Sequence, residues 1–343
     1  MDTIRIGIVG LGANTRLRHV PGLRACDQVE ICGVCNRTEE SSRRAASEFD
    51  IPRTYQRWEQ LVDDPDLDAV VIGTWPYLHC PITLAALESN KHVLTEARMA
   101  MNAEQAREMA AASRNQPDLV TQIVPSPLGL RGHHTIMQML AEEQLGELRE
   151  AVVLGTHPAF ADGDTPLHWR QSAEFSGINM LALGILHEPL VRWIPHPQSV
   201  MAHTQTFTTI RPDPDNQEPG VVGTPDVVHA ITQIPGGARG IYHLSAAIHH
   251  GPSNQIHLYG SAGTLKYLFD HDQLFFGKAG DQELSEVMIP SDDEGGWRVE
   301  EEFINAIRGL EPVRFTTFED GVRYMEFTSA VLESAVSGKT VPC

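Results

Sequence analysis

The segment Ile4 to Val9 is a short apolar, β-branched run that stops on Gly10, Leu11 and Gly12, with a helix free to begin at Ala13 or Asn14. No other stretch constrains the fold as tightly, because a strand, a glycine turn and a helix in immediate succession is the context a dinucleotide fingerprint requires. Gly10 permits the tight turn. Gly12 carries no side chain, so a pyrophosphate can approach the backbone and sit over the helix N-terminus, where free N–H groups and the dipole favour anions. The third fingerprint position holds Thr15 instead of Gly or Ala, which predicts helix and strand slightly further apart. An ordinary strand-to-helix turn looks the same in isolation, so the rest of the chain has to decide between the two.

The first third alternates β-branched runs with amphipathic stretches, the pattern of βαβ units around a parallel sheet. Strands are predicted at Val29 to Val34, Ala69 to Ile72, His92 to Thr95 and Leu119 to Val124, with helices at Glu39 to Phe49 and Ala103 to Ser113. Right-handed crossovers then give a doubly wound sheet. Pro125 and Pro127 punctuate its end, which divides the chain into a nucleotide-binding domain, 1–124, and a second α/β domain, 125–343, whose last helix is free to pack back on the first. The second domain reads as a helix at Thr135 to Glu143, strands from about Glu147, and an apolar helical stretch from Ile178 to Trp193. Strands at Val200 to Thr208, Asp226 to Ile234, Gly240 to Ala247, Gln255 to Tyr259 and Thr264 to Leu268 follow with short polar links, as in an antiparallel sheet. Arg211 to Gly223, rich in Pro, Asp and Gly, reads as an exposed loop, and helices near Val299 to Ile307 and Asp320 to Val336 close the chain.

A formal charge of -19 repels nucleic acid and anionic membranes, since phosphate binding needs clustered Lys and Arg. No run is long enough to cross a membrane, and the N-terminus lacks the basic-then-apolar order of a signal peptide. Five cysteines, an odd and small number, fit reduced thiols and a cytoplasmic protein. Cys32 and Cys35 spell CxxC, but odd spacing on a strand points the two side chains to opposite faces, which argues against redox or zinc chemistry. Adjacent histidines such as His133 with His134 and His249 with His250 diverge in the same way, so no metal site is expected.

The second strand ends at Cys35, Asn36, Arg37 and Thr38, where an enzyme preferring NAD places an acid to accept the ribose hydroxyls. No acid stands there. Arg37 suits a 2'-phosphate, which makes NADP the preferred cofactor over NAD; the plainer alternative is that Arg37 opens a solvated helix alongside Arg43 and Arg44.

GIVGLGA at Gly7 to Ala13, GTWPYLH at Gly73 to His79 and KHVLTEA at Lys91 to Ala97 together resemble the Gfo/Idh/MocA oxidoreductase family. The likeness continues through GELREAVV at Gly146 to Val153, HWRQSAEFSGINMLALGILHE at His168 to Glu188, IHLYGSAGTL at Ile256 to Leu265 and EDGVRYMEFTSAVLESAVSGKTV at Glu319 to Val341. It implies an N-terminal Rossmann domain, a C-terminal α/β domain with a large, mostly antiparallel open sheet, and a homo-oligomer, dimer or tetramer, built through that sheet. It also implies hydride transfer between NAD(P) and a carbinol or ketone carbon of a sugar-like or polyol-like small molecule.

Two family motifs are altered. The Glu-Lys-Pro tripeptide falls on Glu96, Ala97 and Arg98, so the lysine that holds the substrate hydroxyl is replaced by alanine, and the paired Asp and His of the substrate helix fall on Ala182 and Leu186. Only four lysines occur, and Lys91 precedes its strand, away from the carboxyl ends where such folds bind ligands. A nonstandard proton-transfer residue is therefore expected. His187, one residue beyond Leu186 and rotated by about 100 degrees, is the first candidate because imidazole titrates near neutral pH; the alternative is a structural histidine, with Glu188 a structural partner.

Tyr77, the second catalytic candidate, and His79 follow a strand in the family's cofactor-facing loop with Thr74 and Trp75, placed to contact nicotinamide or substrate, or else form a first helical turn. By resemblance Glu96 contacts the nicotinamide ribose, while Arg98, His157, Trp169, Arg170 and Asn179 line a polar substrate pocket. Arg98 or Arg170 would suit a carboxylate. Two other classes stay open: a redox-inactive nucleotide sensor or partner-binding protein, and a redox-neutral lyase or glycosidase retaining the cofactor.

Overall fold

A computed structural model describes residues 3–214, 218–290 and 295–343. The chain forms two compact units: residues 1–125 with 298–325, and residues 126–297 with 326–343. The segment 298–325, which the sequence reading placed in the second domain, thus belongs to the first. Linear order hides this because the chain leaves the first unit at Pro125 and re-enters it at Arg298.

The first unit is a six-stranded parallel sheet of β1 (Ile4–Val9), β2 (Val29–Cys35), β3 (Arg53–Thr54), β4 (Ala69–Ile72), β5 (His92–Thr95) and β6 (Thr121–Ile123). Its order is β3-β2-β1-β4-β5-β6. That is the doubly wound dinucleotide order, with the reversal of winding between β1 and β4. β4, Ala-Val-Val-Ile, is buried at every position, as a central parallel strand should be. The helix Glu39–Glu48 starts where Thr38 and Ser41 form a reciprocal capping box, and Asn102 caps Ala103–Asn115 by accepting from the Gln105 N–H.

One expectation on β2 needs correction. Cys32 and Cys35 join the same core cluster, because the register of β1 with β2 slips between Ile6 and Gly7 and Cys32 has no partner on β1. Both thiols are free, and burial raises the pKa of each, that of Cys35 to about 11.

The second unit carries β7 (Leu148–Thr156), β8 (Ser199–Gln205), β9 (Ile210–Pro212), β10 (Pro219–Val221), β11 (Val227–Gln233), β12 (Arg239–Ser245), β13 (Gln255–Gly260), β14 (Gly263–Leu268), β15 (Gln273–Lys278), β16 (Ser285–Val287) and β17 (Val341–Pro342). Nine of them form one sheet in the order β16-β15-β14-β13-β7-β12-β11-β8-β17. All its neighbours are antiparallel except β7 and β12, so the sheet is mixed. The buried-exposed alternation of β11 and β12 puts one face into a core shared with Leu183, Leu186 and Leu190 of the helix Leu183–Trp193. On the other face Met201, Ile231 and Ile241 are exposed and lie in cross-strand register.

Arg211 to Gly223 is not simply an exposed loop. β9 and β10 pair as a hairpin, and Arg211 is buried, donating to the carbonyls of Phe160, Asp162 and Thr165. Residues 215–217 of that stretch lie outside the described residues.

Candidate functional site

The turn after β1 is shaped as the glycines require. Gly10 sits at φ +86°, and a Cβ there would lie 2.7 Å from the Gly73 carbonyl carbon and 2.8 Å from the Thr74 nitrogen. Gly12 is different: a Cβ would touch only the Gly73 oxygen, at 3.6 Å, and its other side is open. The Gly10 N–H donates to the Cys35 carbonyl at 2.8 Å, and the Leu11 N–H donates to Asn36 Oδ1 at 2.7 Å. Asn36 in turn donates through Nδ2 to the Ser41 carbonyl. Its side chain therefore shapes the turn, and its amide oxygen is already engaged. Thr15 is buried, donates to the Gly10 carbonyl at 3.2 Å, and sits where a Gly73 Cβ would come within 2.2 Å of it. The room lost at the third fingerprint position is supplied by Gly73, on the strand-end opposite. The following helix carries a π segment, Thr15–His19.

These residues open onto a cleft of about 820 Å³ lined by Gly10, Leu11, Gly12, Asn36, Arg37, Thr38, Ser41, Thr74, Trp75 and Tyr77. Arg16, Arg44, Arg57 and Trp58 line it too. Arg16 pairs with Glu48 and Arg57 with Glu59, whereas Arg37 and Arg44 are exposed and make no ion pair with a described residue. A backbone cradle with an open side at Gly12 and two uncommitted guanidiniums beside it fits the phosphates of a dinucleotide.

At the carboxyl end of β5, Glu96 accepts through Oε1 from Asn14 Nδ2 at 2.5 Å and from His19 Nε2 at 3.0 Å. Asn14 stands two residues past Gly12, so Glu96 is tied to the glycine turn, and Ala13 between them is exposed. His79 is fully buried, its ring nitrogens 2.9 Å from the carbonyls of Arg98 and Thr74. It braces the loop after β4 against the segment after β5 and leaves no surface for direct contact with a cofactor. Burial holds its pKa below the ordinary value. Arg98 is likewise only 5 % exposed, which removes it as an open cation for substrate. Lys91 is buried at the other end of β5, where it donates to the carbonyls of Asp64 and Leu67.

In the second unit His187 is fully buried. Its ring stacks on Phe327 with centroids 3.8 Å apart, and Nδ1 lies 2.8 Å from Tyr242 Oη. Burial, then neighbouring His196, drives its pKa well below the ordinary value. A neutral, sealed imidazole cannot meet a substrate hydroxyl, so the expectation for His187 as a proton-transfer residue is corrected: it is part of the core. Glu188 is structural as well, accepting from the Ser126 N–H and pairing with Arg192. Asn179, also fully buried, donates to the Ser176 carbonyl at 2.6 Å and supports a turn instead of lining a pocket. His157, Trp169 and Arg170 do remain at the surface. His157, Phe160, His168 and Trp169 follow one another at centroid distances of 6.3, 6.2 and 5.7 Å, with the Arg170 guanidinium 4.3 Å over the Trp169 ring. Phe160 and His168 were missed by sequence reasoning; the signal available was the aromatic and histidine density of 157–169.

Among the described residues no cluster of three or more His, Cys, Asp or Glu is placed to hold a metal ion, and no helix is long and apolar enough to cross a membrane.

Strand order, glycine cradle and basic cleft define a nucleotide-binding α/β protein of the Rossmann kind. Comparison with known families places it further. Residues 4–123 match the NAD-binding Rossmann domain of the Gfo/Idh/MocA oxidoreductase family, and residues 133–266 match a C-terminal domain of the same family. The chain belongs to that family.

Among its relatives are trans-1,2-dihydrobenzene-1,2-diol dehydrogenase of Sus scrofa and 1,5-anhydro-D-fructose reductase of Ensifer adhaerens. The first is 26% identical over 77% of this chain and 72% of the relative. The second is 37% identical over 32% of this chain and 33% of the relative. The fold matches levoglucosan dehydrogenase, solved with NADH and L-sorbose, with a TM-score of 0.88 at 21% identity over 99% of this chain and 98% of that one.

Proposed function

We propose that the protein is an NADP-dependent oxidoreductase acting on a carbinol or ketone carbon of a sugar-like or polyol-like small molecule. The observation that carries this reading is the cleft: an open backbone cradle at Gly12 with Arg37 and Arg44 at its rim, neither paired with a described acid. The helix N-terminus and glycine N–H groups would hold a pyrophosphate, and the two arginines a 2'-phosphate. Thr74, Trp75 and Glu96 belong to the nicotinamide end of the site. A bound nicotinamide supplies hydride acceptance or donation, and the chain supplies position and proton transfer. With Ala97 and Ala182 unable to exchange protons and His187 sealed in the core, Tyr77, half-buried on the cleft, is the remaining candidate of the two named from sequence. The aromatic row ending in Trp169 and Arg170 is the surface for a sugar-like ring. The named activities of the relatives, on a cyclic diol and on anhydrosugars, support that substrate class.

The exposed Met201, Ile231 and Ile241 suit a homo-oligomer built on the open sheet face. One preparation tests the proposal: light scattering should give a mass above the 37.8 kDa of a single chain, and incubation with NADP or NADPH and a panel of polyols and ketoses should change nicotinamide absorbance. Cofactor binding with silence across the panel favours the second reading, a nucleotide-binding protein without turnover, which the burial of His187 and the tethering of Lys91 support.

A further inference from the structure

His19 lies in the π segment of the first helix, fully buried, between two carboxylates: Nδ1 is 2.5 Å from Glu300 Oε1 and Nε2 is 3.0 Å from Glu96 Oε1. Glu300 comes from the helix Val299–Ile307, 281 residues away in sequence and in the same unit. It is 2 % exposed, and Gly22 makes room for it, since a Cβ at Gly22 would fall 2.6 Å from Glu300 Oε2. Ionised carboxylates only accept hydrogen bonds, so an imidazole that bridges two of them donates from both nitrogens, carries a proton on each and is positively charged. Two carboxylates on either side of one imidazole, Glu300 buried and Glu96 partly so, repel unless a cation sits between them. Burial works against the charge on His19, but the hydrogen bonds to Glu300 and Glu96 outweigh it and lift its pKa to about 9, while His19 and Asn14 hold Glu96 low.

We propose that His19 is a positioning residue that fixes the Glu96 carboxylate at the strand end facing the dinucleotide and neutralises one of the two charges, Glu96 and Glu300, that would otherwise oppose the cofactor phosphates. This rests on the dinucleotide-binding reading. Among the groups facing His19 are Glu96, Glu300 and the Asn14 amide, whose Nδ2 stands 3.5 Å from Nε2; His79 lies close enough to act on Glu96 electrostatically. With His19 neutral, the site changes from one net negative charge to two. An uncompensated charge in a partly dry site weakens anion binding by roughly tenfold.

The test joins two measurements. Imidazole NMR on cofactor-free protein should show His19 losing its proton near pH 9, and near the ordinary value of 6.5 in Glu300→Gln. Calorimetric titration of NADP should then show His19→Gln binding about tenfold more weakly. That loss, measured at pH 8, should shrink below about twofold when Glu300 is already Gln, because His19 is then neutral in the parent and its removal changes no charge. Equal loss in both backgrounds would mean that His19 acts through packing alone and would overturn the proposal, as would unchanged affinity in His19→Gln. If His19→Gln does not fold, wild type carries the test, because its affinity for NADP should fall as pH rises through about 9; a flat profile overturns the proposal. The NMR arm separates the two layers. Wild type that binds neither dinucleotide while His19 still titrates near 9 overturns the functional reading together with the positioning role, whereas intact binding with ordinary His19 titration overturns the positioning role alone.

Discussion

Gly10 and Gly12 stand two residues apart and are required for different reasons. At Gly10 the backbone itself needs glycine, because φ is +86° and an added Cβ collides with Gly73 and Thr74. Gly10→Ala should cost about 2 kcal/mol or more of stability, from the left-handed backbone and the overlap together. Gly12→Ala meets nothing closer than 3.6 Å in the protein, so its melting temperature should stay close to wild type while NADP affinity falls at least about tenfold. Thermal melts with parallel calorimetry check this; equal affinity in Gly12→Ala and wild type would remove the phosphate from this turn.

Both glycines and Arg37 were legible because a fingerprint is local in sequence. Arg44 and Arg57 were not, since which side of a helix, or which residue of the link before one, meets the cleft depends on packing. His19 was invisible as a site residue because its partner Glu300 lies far along the chain. The altered motifs were legible as absences, but an absence does not identify a replacement: His187 had suitable chemistry and only the burial of its helix face excluded it.

At the scale of elements, strands with strong apolar runs were readable to within a residue or two, as β1, β4 and β5 show. β15 and β16, the last two strands at one side of the sheet, were missed because they are only partly buried and show little alternation. The β9–β10 hairpin was hidden by its Pro and Asp content, and its stability depends on Arg211, whose carbonyl partners sit about 50 residues upstream.

The helix Leu183–Trp193 gives a testable electrostatic consequence. Its His187 has a folded pKa below the unfolded 6.5, so the neutral form is favoured by folding. The stabilisation is present above 6.5 and is lost as pH falls below it, up to about 1.4 kcal/mol per pH unit for one proton. His187→Gln should therefore show a shallower fall in stability between about pH 6.5 and 5 than wild type, measured by chemical denaturation. An identical slope would mean that His187 takes up no proton on unfolding in that range. His19 has the opposite sign, because its folded pKa is raised: its contribution is complete below 6.5 and is lost as pH rises through about 9.

The whole molecule has two cores, one around a parallel sheet and one around a mixed sheet, with a segment near the C-terminus completing the first. Fold class was legible because helical and strand periodicities alternate in the first third and strands succeed one another later. Membership of 298–325 in the first unit was not, since nothing local marks a helix for a distant core. The net charge of -19 makes the basic cleft rim more telling: Arg37 and Arg44 make no ion pair with a described residue in a chain rich in carboxylates, so an anion is their natural partner.

The most direct measurement is calorimetric titration of NADP and of NAD into wild type and Arg37→Ala. The account predicts one NADP bound per chain, more tightly than NAD, and loss of that preference in Arg37→Ala with NAD binding unchanged. No binding of either dinucleotide, or an NADP affinity that Arg37→Ala leaves intact, would contradict it.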